Sequence, residues 1–303
     1  MTFKTIVPIC ALILASLSFS DPAHAVRGAA PIRDMFAQQQ LASTDGQKLL
    51  YYGGQVLSNV KVTAVFWGQG VNADVQQGIG GFYASVVNST YMDWMSEYNT
   101  NLKAVDGRDG TNQRIGRGSY TGAVTIAPNN ANTNVSDADV RNELAKQIAD
   151  KKLPAPDENS IYMIHFPPGI TITASDGSVS CQRFCGYHDG FKDAGSASDV
   201  FYAILPDVAT GACSFGCGSD GNAFNNSTSI ASHELLEAVT DAFPTPGDKP
   251  AFPQAWNTTD GQEIGDLCAM VNTTLTTANR TYVLQQLWDN ATTACAPGPY
   301  SSN

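Results

Sequence analysis

His233-Glu234-Leu235-Leu236-Glu237 is the stretch whose reading decides the fold, because it gathers a histidine and two glutamates in a chain where both are scarce. The 303 residues contain four His and 28 acidic residues, and only Glu97, Glu143, Glu158, Glu234, Glu237 and Glu263 are glutamate. At that frequency an H-E-x-x-E arises by chance roughly 0.002 times per chain. Side chains four apart on a helix share a face, so His233 and Glu237 are spaced to grip one metal ion while Glu234 points about a third of a turn away. This is the spacing of a zincin helix with a carboxylate in place of the second histidine. Zinc takes carboxylate oxygen at about 2.0 to 2.2 Å, close to its distance from imidazole nitrogen. The plain alternative is an exposed i,i+4 His–Glu pair worth a few tenths of a kcal/mol, and the scarcity of glutamate argues against it. The helix is expected to be capped by Asn226 or Ser227 and to bury Ile230, Leu235, Leu236 and Val239.

Downstream, Glu263-Ile264-Gly265-Asp266-Leu267-Cys268 offers the third ligand, since a disulfide at Cys268 would hold its backbone still. A His233, Glu237, Glu263 set neutralises Zn²⁺ completely, with Asp266 orienting His233. A set with His188 in place of Glu263 keeps one positive charge and makes the better hydrolase. Asp266 is a third option. After removal of the leader, only His165, His188 and His233 remain as nitrogen donors. His165 ends an apolar run and reads as a core histidine. His188 follows the Gly186-Tyr187 loop and is expected in the cleft, as ligand or as donor to a reaction oxyanion.

At the N-terminus, Lys4, the apolar run Ile6 to Phe19 and the small-x-small triplet Ala23-His24-Ala25 form a signal peptide, residues 1–25. The apolar run is too short for the roughly 20 residues that span a bilayer, so a secreted protein, extracellular or periplasmic, is expected. The net charge of −11 offers no basic surface for nucleic acid or an anionic membrane. The mature cysteines are Cys181, Cys185, Cys213, Cys217, Cys268 and Cys295, an even set that reads as three disulfides in an oxidising compartment. Local pairs Cys181–Cys185 and Cys213–Cys217 are expected, leaving Cys268–Cys295. A structural zinc site at the two C-x-x-x-C pairs is the rival reading.

Residues 26–48 lack a sustained apolar face and read as a flexible N-terminal arm. Residues 49–299 are expected to form one domain. Strands are predicted at Val60 to Trp67, Tyr120 to Ile126, Ile161 to Phe166, Val200 to Leu205, Asp266 to Val271 and Thr281 to Trp288. Helices are predicted at Ala73 to Val87, at Tyr91 to Tyr98 with Trp94 and Met95 inward, and from Ser136 to about Asp150 with a stripe of Leu144, Ile148 and Ala149. Helices and strands mix without strict alternation, which predicts an α+β, zincin-like domain with a mixed sheet, an active-site helix and disulfide staples.

Tyr51-Tyr52-Gly53-Gly54 with the following strand, Cys181-Gln-Arg-Phe-Cys185-Gly-Tyr-His188, Cys213-x-x-x-Cys217, His233-Glu-Leu-Leu-Glu237, Glu263-Ile-Gly-Asp-Leu-Cys268 and Leu287-Trp288 to Cys295 follow one another over nearly the whole mature chain. In that order they resemble the phosphate-induced protein 1, or EXORDIUM, family of secreted proteins. The resemblance implies a role in the cell-wall space, where plant members are tied to growth and cell expansion without an agreed biochemical activity. A histidine at 165 departs from the plant pattern, which argues against a metal role there.

Other chemistries lack a pattern. No G-x-S-x-G elbow accompanies any serine, and Ser227 and Ser229 read as capping and first-turn residues. Oxidised cysteines leave no Cys–His pair, and no spacing singles out two aspartates for glycoside hydrolysis. The expectation is a zinc-dependent hydrolase acting on a peptide or protein substrate. Zinc is held by His233, Glu237 and Glu263, with Glu234 as general base and His188 assisting the oxyanion. The alternative is a non-catalytic extracellular or wall-associated protein that binds a cell-wall component, with a structural acidic site for Ca²⁺.

Overall fold

Apolar runs that do not alternate mark strands buried on both faces, and two of them, together with the alternating Lys61–Trp67 segment, build the centre of the computed structural model. The structure describes Ala30, Ile32 and residues 47–130, 132–244 and 249–302. The signal peptide and most of the 26–48 arm therefore lie outside the described residues. The central sheet comprises β1 (Lys61–Trp67), β2 (Ser119–Ile126), β3 (Ser160–His165), β4 (Tyr187–Phe191) and β5 (Val200–Leu205). Its order is β2-β1-β3-β5-β4, with only β4 antiparallel to its neighbour. Alternation sends Val62, Ala64, Ile161, Met163, Phe201 and Ala203 to one core, and Val65, Tyr162, Ile164, Tyr202 and Ile204 to a second. The first core is covered by α1 (Ala73–Val86) and α3 (Ala223–Thr240), the second by α2 (Asp137–Ala149). The domain is thus mixed α and β, with several small sheets beside the central one. No helix among the described residues is long and apolar enough to cross a membrane.

The helix carrying His233 is buried almost all round. Leu235, Leu236 and Val239 pack into the first core, where cutting a leucine to alanine costs about 2–5 kcal/mol. Its polar residues are stitched to the hairpin of β6 (Asn272–Thr276) and β7 (Thr281–Gln285). Thr228 Oγ1 donates to the Val283 carbonyl at 2.6 Å, Ser229 Oγ to Asn272 Oδ1 at 2.7 Å, and the Gln285 amide to Ser232 Oγ at 2.9 Å.

Several expectations need correction. The helix begins one turn earlier than its apolar spacing suggests, with Asn222 accepting from the Phe224 amide as cap. Asn226 instead latches the preceding loop through both polar atoms on Asp220, and the Ser227 hydroxyl donates back to the Ala223 carbonyl. Asp266 to Val271 is not a strand: Asp266–Cys268 is a 3-10 turn, tied back by Asp266 Oδ2 accepting from the Glu263 amide at 3.0 Å, and the strand starts at Asn272. Tyr91 to Tyr98 divides into Thr90–Asp93 and a 3-10 turn at Trp94–Tyr98, with Met95 buried and Trp94 half-buried. On α2, Leu144 is buried but Ala149 is exposed.

The two local disulfides are replaced by a crossed pair. Cys181 bonds Cys213 and Cys185 bonds Cys217, while Cys268–Cys295 forms as expected. Cys213–Gly216 is one helical turn, so Cys213 and Cys217 stand about 5–6 Å apart at Cβ. A disulfide needs about 3.8 Å. Each turn therefore offers two parallel thiols to the facing loop.

Candidate metal centre

The helix α3 runs between the β6–β7 hairpin and strands β4 and β5, and the site forms where those elements meet. On β4, alternation turns Tyr187 and Asp189 to the α2 side, while His188, paired in register with Ala203, faces α3. His188, His233, Glu234, Glu237 and Glu263 are all buried, with His188 at 1 % exposure and the other four at 0 %. So all five sequence-predicted residues come together from β4, α3 and the segment before the 3-10 turn.

Each imidazole has one nitrogen fixed and one left over. His188 Nε2 lies 3.0 Å from the Asp241 carbonyl, an acceptor only, so Nε2 donates there and Nδ1 is the nitrogen left for another partner. Gln285 Nε2 donates to the Gly265 carbonyl at 2.8 Å, which turns Gln285 Oε1 toward His233 Nδ1 at 3.1 Å. That leaves His233 Nε2 as the free nitrogen. Among the described residues, His188 Nδ1, His233 Nε2, Glu234 Oε2, Glu237 Oε2 and both Glu263 oxygens are buried without a hydrogen-bond partner. Buried polar atoms are seldom left so, and each unmet one costs about 1–3 kcal/mol or more when charged.

The orphaned atoms converge. His188 Nδ1 lies 3.6 Å from Glu234 Oε2 and 3.7 Å from Glu237 Oε2, and His233 Nε2 lies 3.1 Å from Glu237 Oε1. Two ligands of one tetrahedral zinc stand about 3.3 Å apart, given bonds near 2.0 Å. Two sets bring one ligand atom per residue within 4.8 Å of one another: His188, Glu237 and Glu263, and His233, Glu234 and Glu237. These buried groups can hold a metal ion, and Glu237 belongs to both sets. The expected trio of His233, Glu237 and Glu263 does not form one set, because Glu263 stands on the His188 side, 3.6 Å from His188 Nε2.

Two glycines make room for this. A Cβ at Gly265 would stand 2.7 Å from His233 Nδ1 and 2.8 Å from Glu237 Oε1, and one at Gly186 would stand 2.7 Å from Glu234 Oε1. The amides of Gly265 and Asp266 donate to Glu237 Oε1 at 3.2 and 3.1 Å, which aims its other oxygen at the cluster.

The electrostatics are those of crowded anions. Burial, then Glu237 and Asp241, raises Glu263 well above the carboxylate range, and burial with Glu237 raises Asp266 to about 8. Burial alone would depress His233, but Glu237 and Glu234 carry it up to about 10. His188 also rises despite burial, through Glu234 and Glu237. Asp241, pushed up to about 7 chiefly by burial, anchors the loop by accepting from the Ala255 amide and from Asn257 Nδ2.

Sequence reasoning missed Gln285 and Asp241, the two residues that orient the histidines. Neither carries a motif; Gln285 is marked only by its place within a predicted strand. Asp266 was expected to orient His233, yet its Oδ1 lies 3.9 Å from Nε2 on the lone-pair side. His165 lies apart, its Nε2 3.0 Å from the Tyr83 hydroxyl, as a core histidine should. Comparison with protein-family models, with curated proteins and with solved structures returns no match for this chain.

Proposed function

We propose that this chain is an exported, zinc-dependent hydrolase of zincin-like architecture that cleaves peptides. The observation that carries the reading is the convergence of orphaned, fully buried nitrogen and carboxylate atoms on Glu237. Two imidazole nitrogens suit zinc, whereas Ca²⁺ takes oxygen ligands. A mixed sheet whose antiparallel edge strand borders the H-E-x-x-E helix supports the zincin-like assignment. Three disulfides support export. The resemblance to the EXORDIUM family is part of the same proposal.

In this reading the two sets close on one ion when it binds, so that His188 from one and His233 from the other would join Glu237, common to both, as its ligands. With Glu263 outside the ligands, the ion and Glu237 together would carry one net positive charge. When bound, zinc polarises a scissile carbonyl and acidifies water. Glu234, raised by burial, takes the water proton and returns it to the leaving amine. Glu234→Gln is nearly isosteric and should retain the metal while losing at least about 100-fold in peptide hydrolysis. Equal hydrolysis by the variant, or none by zinc-loaded wild type on a peptide library, removes the peptidase reading.

One observation favours a second reading, a binding protein with a structural cation. The candidate ligands have no more than 1 % exposure, as in a closed structural site.

A further inference from the structure

Two residues far from the site in sequence, Ala30 and Ile32, help to close it. Ala30, 204 positions from Glu234 in sequence, donates its amide to Glu234 Oε1 at 3.0 Å. Its carbonyl accepts from the Cys185 amide at 2.7 Å. One residue thus spans from the backbone ahead of β4 to a carboxylate of α3 with its two main-chain groups, which any extended peptide can supply. Cys185 leads directly into β4, an edge strand with β5 on one side only. Ala30 is 5 % exposed, and Ile32 packs against the first core, with Gly216 so close that a Cβ there would lie 3.7 Å from Ile32 Cβ. The walls are fixed: the Cys181–Cys213 and Cys185–Cys217 bonds tie the 181–185 loop to the Cys213–Gly216 turn. Pro31 follows Ala30 in the sequence and confines Ala30 to an extended conformation.

We propose that the groove between Cys185 and Glu234 is a peptide-binding site, and that Ala30 and Ile32 occupy it as an intramolecular ligand that a substrate must displace. The ligand class is an extended peptide with a small residue whose amide faces Glu234 and an aliphatic residue two positions on. This deepens the peptidase reading and depends on it only for the consequence, which is that Ala30, held on Glu234 Oε1, stands where a substrate backbone would lie beside the general base and must leave before a substrate can take its place. A tethered segment competes at an effective concentration near millimolar, so the intact arm keeps free peptides out.

Ala30→Pro in the full chain deletes the amide that reaches Glu234. Binding of a fluorescein-labelled peptide matching residues 28–33 (GAAPIR) is followed by anisotropy. The variant should bind it at least about tenfold more tightly than wild type, as release of a tethered competitor requires. The same peptide N-methylated at its second alanine should bind at least about tenfold more weakly. Ile32→Asp, which loosens the arm without touching Glu234, should give the same gain and serves if Ala30→Pro does not unfold cooperatively. Equal affinity of wild type and Ile32→Asp, no binding by either, or indifference to N-methylation overturns the proposal. Tight binding by the variants without cleavage of any zinc-loaded peptide leaves the groove standing and removes the hydrolase. Cleavage by wild type and variants at one rate, with no difference in peptide affinity, does the reverse.

Discussion

On the α2 side of the sheet, a buried Asp137 and a half-buried Asp189 stand beside Arg141. Tyr187 and Tyr202 donate to Asp137 Oδ1 at 2.8 and 2.5 Å, and Arg141 Nε donates to Oδ2 at 2.6 Å. Arg141 also bonds Asp189 through Nη2. On the α3 side, Glu234, Glu237, Glu263, Asp241 and Asp266 crowd around two histidines, and among the described residues no lysine or arginine pairs with them. Both clusters bury carboxylates, but one is neutralised by a guanidinium from its own chain and ends with its Asp137 oxygens satisfied. The other ends with six polar atoms unmet. A buried charge must be paired, protonated or coordinated. Arg141 provides the first solution, and the α3 cluster has the groups for the last.

The largest effect that sharpens this contrast is Asp137→Ala. It strands a partly buried Arg141 and two buried tyrosine hydroxyls, and should cost about 3–5 kcal/mol of unfolding free energy in urea. A loss under about 1 kcal/mol would show that the α2 cluster is not the closed network described.

Next is the contrast between His165 and His233, which are equally buried. His165 has no charged partner, and burial lowers it to about 3, against about 6.5 unfolded. Its stabilising contribution is therefore complete above about pH 6.5 and is lost as pH falls toward 3, by about 3 kcal/mol at pH 4.5. His165→Gln keeps an acceptor for the Tyr83 hydroxyl and should flatten that acid limb in denaturation measured from pH 7 to 4.5. An unchanged limb would assign it to other groups.

The smallest effect carries the sharpest sign. In chelator-treated protein at pH 8, Glu263→Gln removes a group whose raised pKa burdens the fold, and should stabilise by about 1–2 kcal/mol, fading toward pH 4. In the α2 cluster, loss of a carboxylate destabilises under all these conditions. Destabilisation by Glu263→Gln in metal-free protein would place an undetected cation of the chain beside it.

Much of this was legible in the sequence. Ile161 to Phe166 and Val200 to Leu205 gave strands because burial on both faces demands nearly continuous apolar residues, and Val60 to Trp67 through its alternation and its β-branched and aromatic residues. The scarcity of glutamate picked out Glu234, Glu237 and Glu263, and all three lie in the site. What stayed hidden depends on contacts across the chain. The first turns of α3 are polar because Thr228 and Ser229 bond the β6–β7 hairpin, so they show no apolar period. The crossed disulfides reflect the facing of two thiol pairs, which spacing does not encode. Gln285 acts only through a hydrogen bond 52 positions away, and Ala30 acts through its backbone, where side-chain type says nothing.

The account rests on the α3 cluster holding a cation, and elemental analysis tests it most directly. Wild type purified without chelator should carry about one equivalent of zinc, and His233→Ala should carry almost none, with the fold retained. Wild type that stays metal-free after dialysis against zinc, yet unfolds at the same temperature with and without it, would contradict the account.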